Sequence, residues 1–430
     1  MMRDKATAMR LLHAHAKHFQ KQIYQITDTI HLAVGYAASN VSMIEGKTGL
    51  IIIDTTESTS AAENILQDFR QISDKPIHTI IYTHSHRDHI GGASIFANDT
   101  DPEIYASANF KSDLIDAAGA GAMPMGSLLA RTKAQFGMGL TSNERVHIGL
   151  GPEDRPLKGL GQGFVPPKSR FADMPQDLEI DGVKLHIFPA PGETADHINI
   201  WLEDEKLLFC GDNYYQAFPN LYAIRGTAYR DFESWANTLN QLLQFPAEIL
   251  VSGHGQPVFG SEDISERLTD YRDAIRSVID QAVAGMNAGL TFDEIADQSA
   301  LPDRLAEKPW LIEHYGSFAY AIKACCVGLM GWYSGNVEEL VMRSPKEKAA
   351  DWLALLGGVD ALLLAVEDAT ISQNHALVLE LCEMARHLDL MTDPLHQMRR
   401  QALCEIAEQT YNAPVRNSLF SAVMDMDNKE

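Results

Sequence analysis

The sequence is short of cysteine, of long apolar runs and of basic residues, and each shortage excludes something. There are five cysteines in 430 residues, an odd number with no CxxC pair. That pattern reads as reduced thiols, not as a disulfide framework. No apolar run reaches the ~18 residues of a membrane-spanning helix. Lysine and arginine number 35 against 58 acidic residues, a formal net charge of -23. So large an excess disfavours a nucleic-acid backbone as partner. Anionic small molecules stay open, because one arginine reverses the field inside a pocket. The start, Met1-Met2-Arg3-Asp4-Lys5, leads into a His-rich helical stretch without the apolar core of a signal peptide. A cytoplasmic protein is therefore expected.

What is present divides in two near Gly260. Before it, short β-branched runs alternate with helical patterns. Strands are expected at 41–44, 50–54, 79–83, 183–188, 207–210 and 249–252, with a helix at 60–71. That is the alternation of a layered α/β domain. Between Gly119 and Pro175 the chain is rich in Gly and Pro and has little periodicity. A loop so long is either functional or irregular, and cover of a pocket is one use for it. After Ser261, Ile264, Leu268, Tyr271, Ile275, Val278 and Ala282 recur at three- and four-residue steps, one apolar helical face. Thr291-Phe292-Asp293-Glu294 opens a further helix with a capping box. The expected domains are 1–260, α/β and catalytic, and 261–430, all-helical, with a frayed polar tail at 425–430.

Thr83-His84-Ser85-His86-Arg87-Asp88-His89 carries the chemistry. Neutral imidazoles suit zinc and a carboxylate adds a hard oxygen donor. The segment follows an apolar strand, and Ile90-Gly91-Gly92 reads as the start of a helix. Residues two apart on extended chain point the same way, so His84 and His86 can chelate one ion. Asp88 and His89 can then swing towards a second. The remaining ligands should lie on later strand ends. Glu193, Asp196 and His197 follow one strand, Asp212 the next, and His254 another. Cys210 reads as strand core. His31, His78, His147 and His186 each stand alone and read as surface or structural residues.

These segments resemble the metallo-β-lactamase superfamily. Gly49-Leu50-Ile51-Ile52-Ile53-Asp54 matches its early Gly-x-x-x-x-Asp, and Gly192-Glu193-Thr194 stands where Gly-His-Thr is usual. The resemblance implies an α+β fold, an αββα sandwich followed by an all-helical dimerisation domain. It implies two zinc ions per chain, with manganese or iron left open. His84, His86 and Glu193 would hold the first ion, and Asp88, His89 and His254 the second. Asp212 would bridge them, and Asp54 would orient a ligand histidine. His197 is the rival to Glu193, since imidazole is the commoner zinc ligand. The diiron flavoprotein branch carries Glu at the position of His86, which turns the reading towards hydrolysis.

A longer likeness is to the alkylsulfatase branch. Gly35-Tyr36-Ala37-Ala38-Ser39-Asn40, Asn220-Leu221-Tyr222-Ala223-Ile224-Arg225-Gly226 and Arg230-Asp231 carry it in the first domain. Tyr315-Gly316-Ser317-Phe318 and Gly331-Trp332-Tyr333-Ser334-Gly335-Asn336 carry it in the second. It implies hydrolysis of an anionic alkyl sulfate ester by a metal-bridging hydroxide, and a homodimer through the helical domain. Arg225 and Asn220 would contact sulfate, the arginine by its planar fork. Arg230 reads as structural, paired with a nearby acid. Asp88 and Tyr320 are the catalytic candidates, Tyr320 standing where the family has a sulfate-contacting His. Three departures qualify the likeness: Asp212 replaces a Glu, Tyr320 replaces that His, and the family's sterol-carrier-like third domain is not in the sequence. The competing readings are a lactone, thioester, phosphodiester or β-lactam hydrolase on the same metals, and a non-enzymatic scaffold.

Overall fold

Strand β4, Leu50–Ile53, shows how these residues build a layered core. Its side chains alternate faces. Ile51 and Ile53 enter a core shared by two sheets, while Leu50 and Ile52 enter a second core under helices. A strand with both faces covered needs the unbroken aliphatic run found there. The computed structural model describes residues 2–98, 100–111 and 125–428.

Two sheets form the sandwich. The first has seven strands in sequence order: β1 Gln22–Gln25, β2 Ile30–Val34, β3 Val41–Glu45, β4, β5 Ile77–Ile81, β6 Glu103–Ala106 and β7 Ser169–Arg170. From β1 to β4 they pair antiparallel, and from β4 to β7 parallel. The second runs from β8 to β13: Gln176–Ile180, Val183–Pro189, Ile198–Leu202, Leu207–Gly211, Ile249–Ser252 and Val258–Phe259. Here β11 and β12 are parallel. Inner faces meet through residues such as Leu32, Ile51, Ile187, Ile200 and Phe209. Helix Thr59–Phe69 covers the outside of the first sheet with Ile65 and Phe69. Helices Phe232–Leu242 and Ser261–Asn287 cover the second through Trp235, Leu239, Leu268 and Tyr271. The architecture is the expected αββα sandwich. Trp235 is fully buried and its Nε1–H donates to the carbonyl of Asn213 (3.0 Å), so the outer helix also braces a loop at the end of β11.

Beyond Phe259 the described residues contain helices and no strand. The last helix, Ala413–Asp427, runs through the first half of the tail expected to fray, whose final two residues lie outside the described ones. The Gly-rich stretch also differs from expectation. Residues 119–124 lie outside the described ones, but Met125–Gln135 is an α-helix. Among the described residues no single helix is long and apolar enough to cross a membrane.

His147 does not stand alone. His15, on helix Lys5–Ala16, stacks on His314 (ring centroids 4.0 Å apart) and meets His147 edge-on at 5.0 Å. His15 Nε2 bonds the carbonyl of Gly149 (2.7 Å), so three distant segments meet at these rings. Burial, reinforced by the neighbouring histidines, holds His15 and His147 well below the ordinary imidazole range and takes His314 down to about 3. The folded protein thus binds fewer protons than the unfolded chain, whose histidines titrate near ~6.5. The trio's stabilisation is complete above that pH and is lost as pH falls through the window below it. Thermal unfolding from pH 7.5 to 4.5 should show the midpoint falling below about 6.5. His314→Phe keeps a stacked ring without the titration and should flatten that slope. Identical acid profiles for variant and wild type would remove the assignment.

Candidate metal centre

The candidate ligands come together at the carboxyl ends of β5, β9, β11 and β12, where loops leave a rigid sheet. The leading loop is fixed first. Asp54, just past β4, accepts from the Thr83 N–H (2.8 Å) and the Thr83 hydroxyl (2.8 Å). It also accepts from His89 Nδ1 (2.7 Å). Arg87–Ile90 is a single helical turn, so Asp88 and His89 stand on a helix that begins earlier than Ile90-Gly91-Gly92 suggested.

Hydrogen bonds at Nδ1 aim three of the imidazoles. A carbonyl or carboxylate can only accept, so the nitrogen facing it carries the proton. His89 Nδ1 faces Asp54, and His254 Nδ1 faces the carbonyls of Ala38 (2.8 Å) and Leu150 (3.1 Å). The Thr83 hydroxyl donates to Asp54, so at 3.0 Å it accepts from His84 Nδ1. With Nδ1 so engaged, each Nε2 points inward, those of His89 and His254 towards the Asp212 carboxylate, and is the nitrogen that would bind a metal once any proton shared with that carboxylate is displaced.

Asp212 lies among those nitrogens. Its Oδ1 is 3.3 Å from His89 Nε2, and its Oδ2 is 3.2 Å from His254 Nε2 and 3.6 Å from His84 Nε2. Two groups have donor atoms within 4.8 Å of one another: His84, His86 and Asp212, and Asp88, His89 and His254. Gly253 permits the approach, since a Cβ there would sit 2.2 Å from Asp212 Oδ1. Burial opposes the charge on Asp212, yet His254, His89 and His84 hold its carboxyl well below the ordinary range. Burial likewise opposes protonation of His254, but Asp212 lifts it to about 9.

Glu193 and His197 differ in what their polar atoms meet. His197 Nε2 accepts from the Asp212 backbone N–H (3.0 Å), and its ring stacks on His84 at 4.6 Å. Its lone pair is occupied, and His197, Glu193 and buried Asp196 all stay outside the two groups. Glu193 Oε1 accepts from Arg230 Nη1 (2.7 Å), while Oε2 is buried without a partner. Burial pushes the Glu193 carboxyl up to about 7 although Arg230 pulls the other way. Arg230 is thus the structural partner of a nearby acid, and it also donates to the Asn220 carbonyl. Buried Cys210 is strand core, its thiol pushed up by burial.

His84 Nε2, His89 Nε2, Glu193 Oε2 and Asp212 Oδ1 are all buried with no hydrogen-bond partner. Buried polar atoms left without partners are costly unless something cationic satisfies them. Nitrogen and carboxylate donors in this mixture fit a divalent metal.

Arg225 lies to one side, its guanidinium 5.9 Å from the Phe136 ring and its buried Nη1 unpartnered. Its charge helps depress His86, after burial and Arg230. Buried Asn220 sends its N–H to the Tyr215 hydroxyl (2.7 Å). The charges acting on Tyr320 are those of Glu313 and Lys323. Sequence reasoning gave no role to Glu57, Arg155 or Tyr215. Glu57 and Arg155 form a buried pair (2.9 Å), and Glu57 also accepts from the Ala38 N–H (3.0 Å) beneath His254. No local motif announces such a pair, whose members are 98 positions apart.

Residues 34–254 match the model of the metallo-β-lactamase superfamily. The chain belongs to that superfamily. All seven candidate ligands fall inside the matched span, and the superfamily's binuclear chemistry agrees with a divalent-metal site here. Residues 291–429 match the alkyl sulfatase dimerisation family. Among superfamily relatives, a linear primary-alkylsulfatase of a Pseudomonas species is 33% identical over 397 residues, covering 90% of this chain and 74% of that protein. An alkyl/aryl-sulfatase of Saccharomyces cerevisiae is 29% identical over 352 residues, 79% of this chain and 54% of that protein. The structure of a stereoselective inverting sec-alkylsulfatase from Pseudomonas sp. superposes with a TM-score of 0.86 at 25% identity, covering 99% of this chain and 70% of that one. The chain thus spans from about half to three quarters of the length of these relatives.

Proposed function

We propose that this chain is a binuclear zinc hydrolase of alkyl sulfate esters. The observation that carries the reading is a two-group donor cluster centred on Asp212, flanked by a guanidinium with a free N–H. His84, His86 and Glu193 would hold one ion and Asp88, His89 and His254 the other, with Asp212 shared. When bound, such ions lower the pKa of water to about 7 and neutralise charge on an ester oxygen. The chain's own groups do the rest. Asp54, Ala38 and Leu150 fix the histidine tautomers. Asp212 offsets the charge of three imidazoles. Arg225 orients the anionic ester, and Phe136 shields one side of it. Relatives that carry both matched segments are named alkylsulfatases, which favours sulfate esters over other substrates of the same metals.

Metal-loaded protein should release sulfate from dodecyl sulfate or from a secondary alkyl sulfate. A chelator should abolish release and zinc restore it, at about two ions per chain as expected for a two-metal site. Turnover of a lactone or phosphodiester with no sulfate release from either ester would replace the reading with the other hydrolase class. Arg225→Ala should lose sulfate-ester activity selectively.

We place the catalytic domain at 1–260 and a dimerisation domain at 261–430, with the cytoplasm as compartment on five free thiols. Trp332, Val341, Met342, Trp352, Leu355 and Ile371 expose 60–83% of their surface on successive segments of the helical half. These residues fall within the segment that matches the alkyl sulfatase dimerisation family, so a second copy of this chain is the expected cover. Sedimentation at micromolar concentration should give a dimer, and Trp352→Glu with Leu355→Glu should give a monomer. Wild-type monomer throughout would reject the homodimer.

A further inference from the structure

Tyr320 was the phenol expected beside the ester, yet a different one stands on that side of the metal cluster. Tyr315 is buried, and the charges acting on its hydroxyl are those of Arg225, Glu193, Asp88 and Arg230. Its ring meets Tyr215 edge-on at 6.1 Å, and Tyr215 meets His254 in the same way at 6.2 Å. On its other side the ring lies on Gly149. A Cβ at Gly149 would sit 2.3 Å from Tyr315 Cδ2, and φ there is +100°, so glycine is required twice over. The next carbonyl along, that of Leu150, is one of the two that hold His254 Nδ1.

The backbone beneath this ring is equally fixed. Asn412 Nδ2 donates to the carbonyls of Glu313 (2.9 Å), Tyr315 (3.1 Å) and Gly316 (3.1 Å). The Gly316 N–H donates to the Phe218 carbonyl (3.2 Å), two residues before Asn220. The helical half therefore delivers a clamped phenol to the catalytic loops.

Clamped as it is, the Tyr315 hydroxyl makes no hydrogen bond among the described residues. Arg225, whose charge acts on that hydroxyl, also has its Nη1 without a partner. A fixed phenol and a guanidinium that each have hydrogens to give suit an oxyanion, because each bond to a charged acceptor is stronger than a neutral one. We infer that Tyr315 donates a hydrogen bond to a sulfate oxygen of the ester, alongside Arg225, and is the substrate contact that the family resemblance had assigned to Tyr320. The phenol keeps its proton throughout, and burial holds its acidity low, at about 12. The inference rests on the sulfate-ester reading.

Inorganic sulfate is the probe, titrated calorimetrically into metal-loaded wild type, Tyr315→Phe and Tyr320→Phe, and used as a competitive inhibitor of each. Phenylalanine retains the ring contacts with Gly149 and Tyr215. Sulfate should bind Tyr315→Phe at least about tenfold more weakly, with metal content and melting midpoint unchanged, while Tyr320→Phe matches wild type. Sulfate affinity within about twofold of wild type, well short of one charge-assisted hydrogen bond, overturns the assignment to Tyr315. So does an equal loss in Tyr320→Phe, or loss of metal from Tyr315→Phe. Wild-type protein that binds sulfate but releases none from an ester defeats the sulfatase reading alone, and the affinities of the two variants still decide on Tyr315.

Discussion

Asp212→Ala is expected to strip metal from the centre and to lower ester hydrolysis more than about a hundredfold. Losing only an outer-sphere partner of a metal ligand typically costs about 10–100-fold, and Asp212 is placed to act on both ions. Its oxygens lie 3.2–3.6 Å from Nε2 of three different histidines. Alanine would leave those imidazoles facing one another without a counter-charge. It would also open the space that Gly253 leaves for the carboxylate. Asp212→Asn keeps the volume and one carbonyl oxygen but loses the anion, so its loss should be smaller. Metal content by elemental analysis and sulfate release together check this. An alanine variant with full metal and wild-type rate would mean that Asp212 is a bystander.

Arg230→Met is expected to be destabilised by about 3–5 kcal/mol, the usual cost of removing one partner from a buried pair. Arg230 and Glu193 are each only 4% exposed and meet at 2.7 Å. Burial already takes the Glu193 carboxyl up to about 7 in the presence of that guanidinium. Without it the carboxyl rises further and is protonated at neutral pH, and a protonated carboxyl is a poor metal ligand. The variant should therefore lose stability in denaturant and hold metal less tightly as well. Arg225→Ala should do neither, because Arg225 makes no ion pair among the described residues. Equal stability of Arg230→Met and wild type would show that the pair does not brace the first group.

The site was more legible in the sequence than the fold around it. Metal ligands have a restricted chemistry and sit at strand ends, so His84, His86, Asp88, His89, Asp212 and His254 stand out one strand at a time. Their convergence is then a matter of topology, and β5, β11 and β12 bring them together as that logic requires. Glu193 against His197 was not decidable from residue type. What residue type could not show is that the backbone N–H of Asp212 occupies the histidine, which is the ground for proposing Glu193. Strands β1, β6, β7, β8 and β13 were missed because they are short or only half-buried, β10 because its apolar run follows directly on the ligand loop, and β2 although it is fully buried. Helix Met125–Gln135 was hidden by its weak amphipathic pattern amid many glycines. Tyr320 was favoured by alignment with a family motif. Tyr320 stands inside helix Phe318–Met330, and the inferred role of Tyr315, in the segment before that helix, rests on contacts that a one-dimensional match does not report.

Anomalous diffraction at the zinc edge, from crystals grown with zinc, tests the account most directly. Two peaks per chain are predicted, one bounded by His84, His86, Glu193 and Asp212 and the other by Asp88, His89, His254 and Asp212. No peak among these residues, or a first-site peak bound to His197 in place of Glu193, would contradict it.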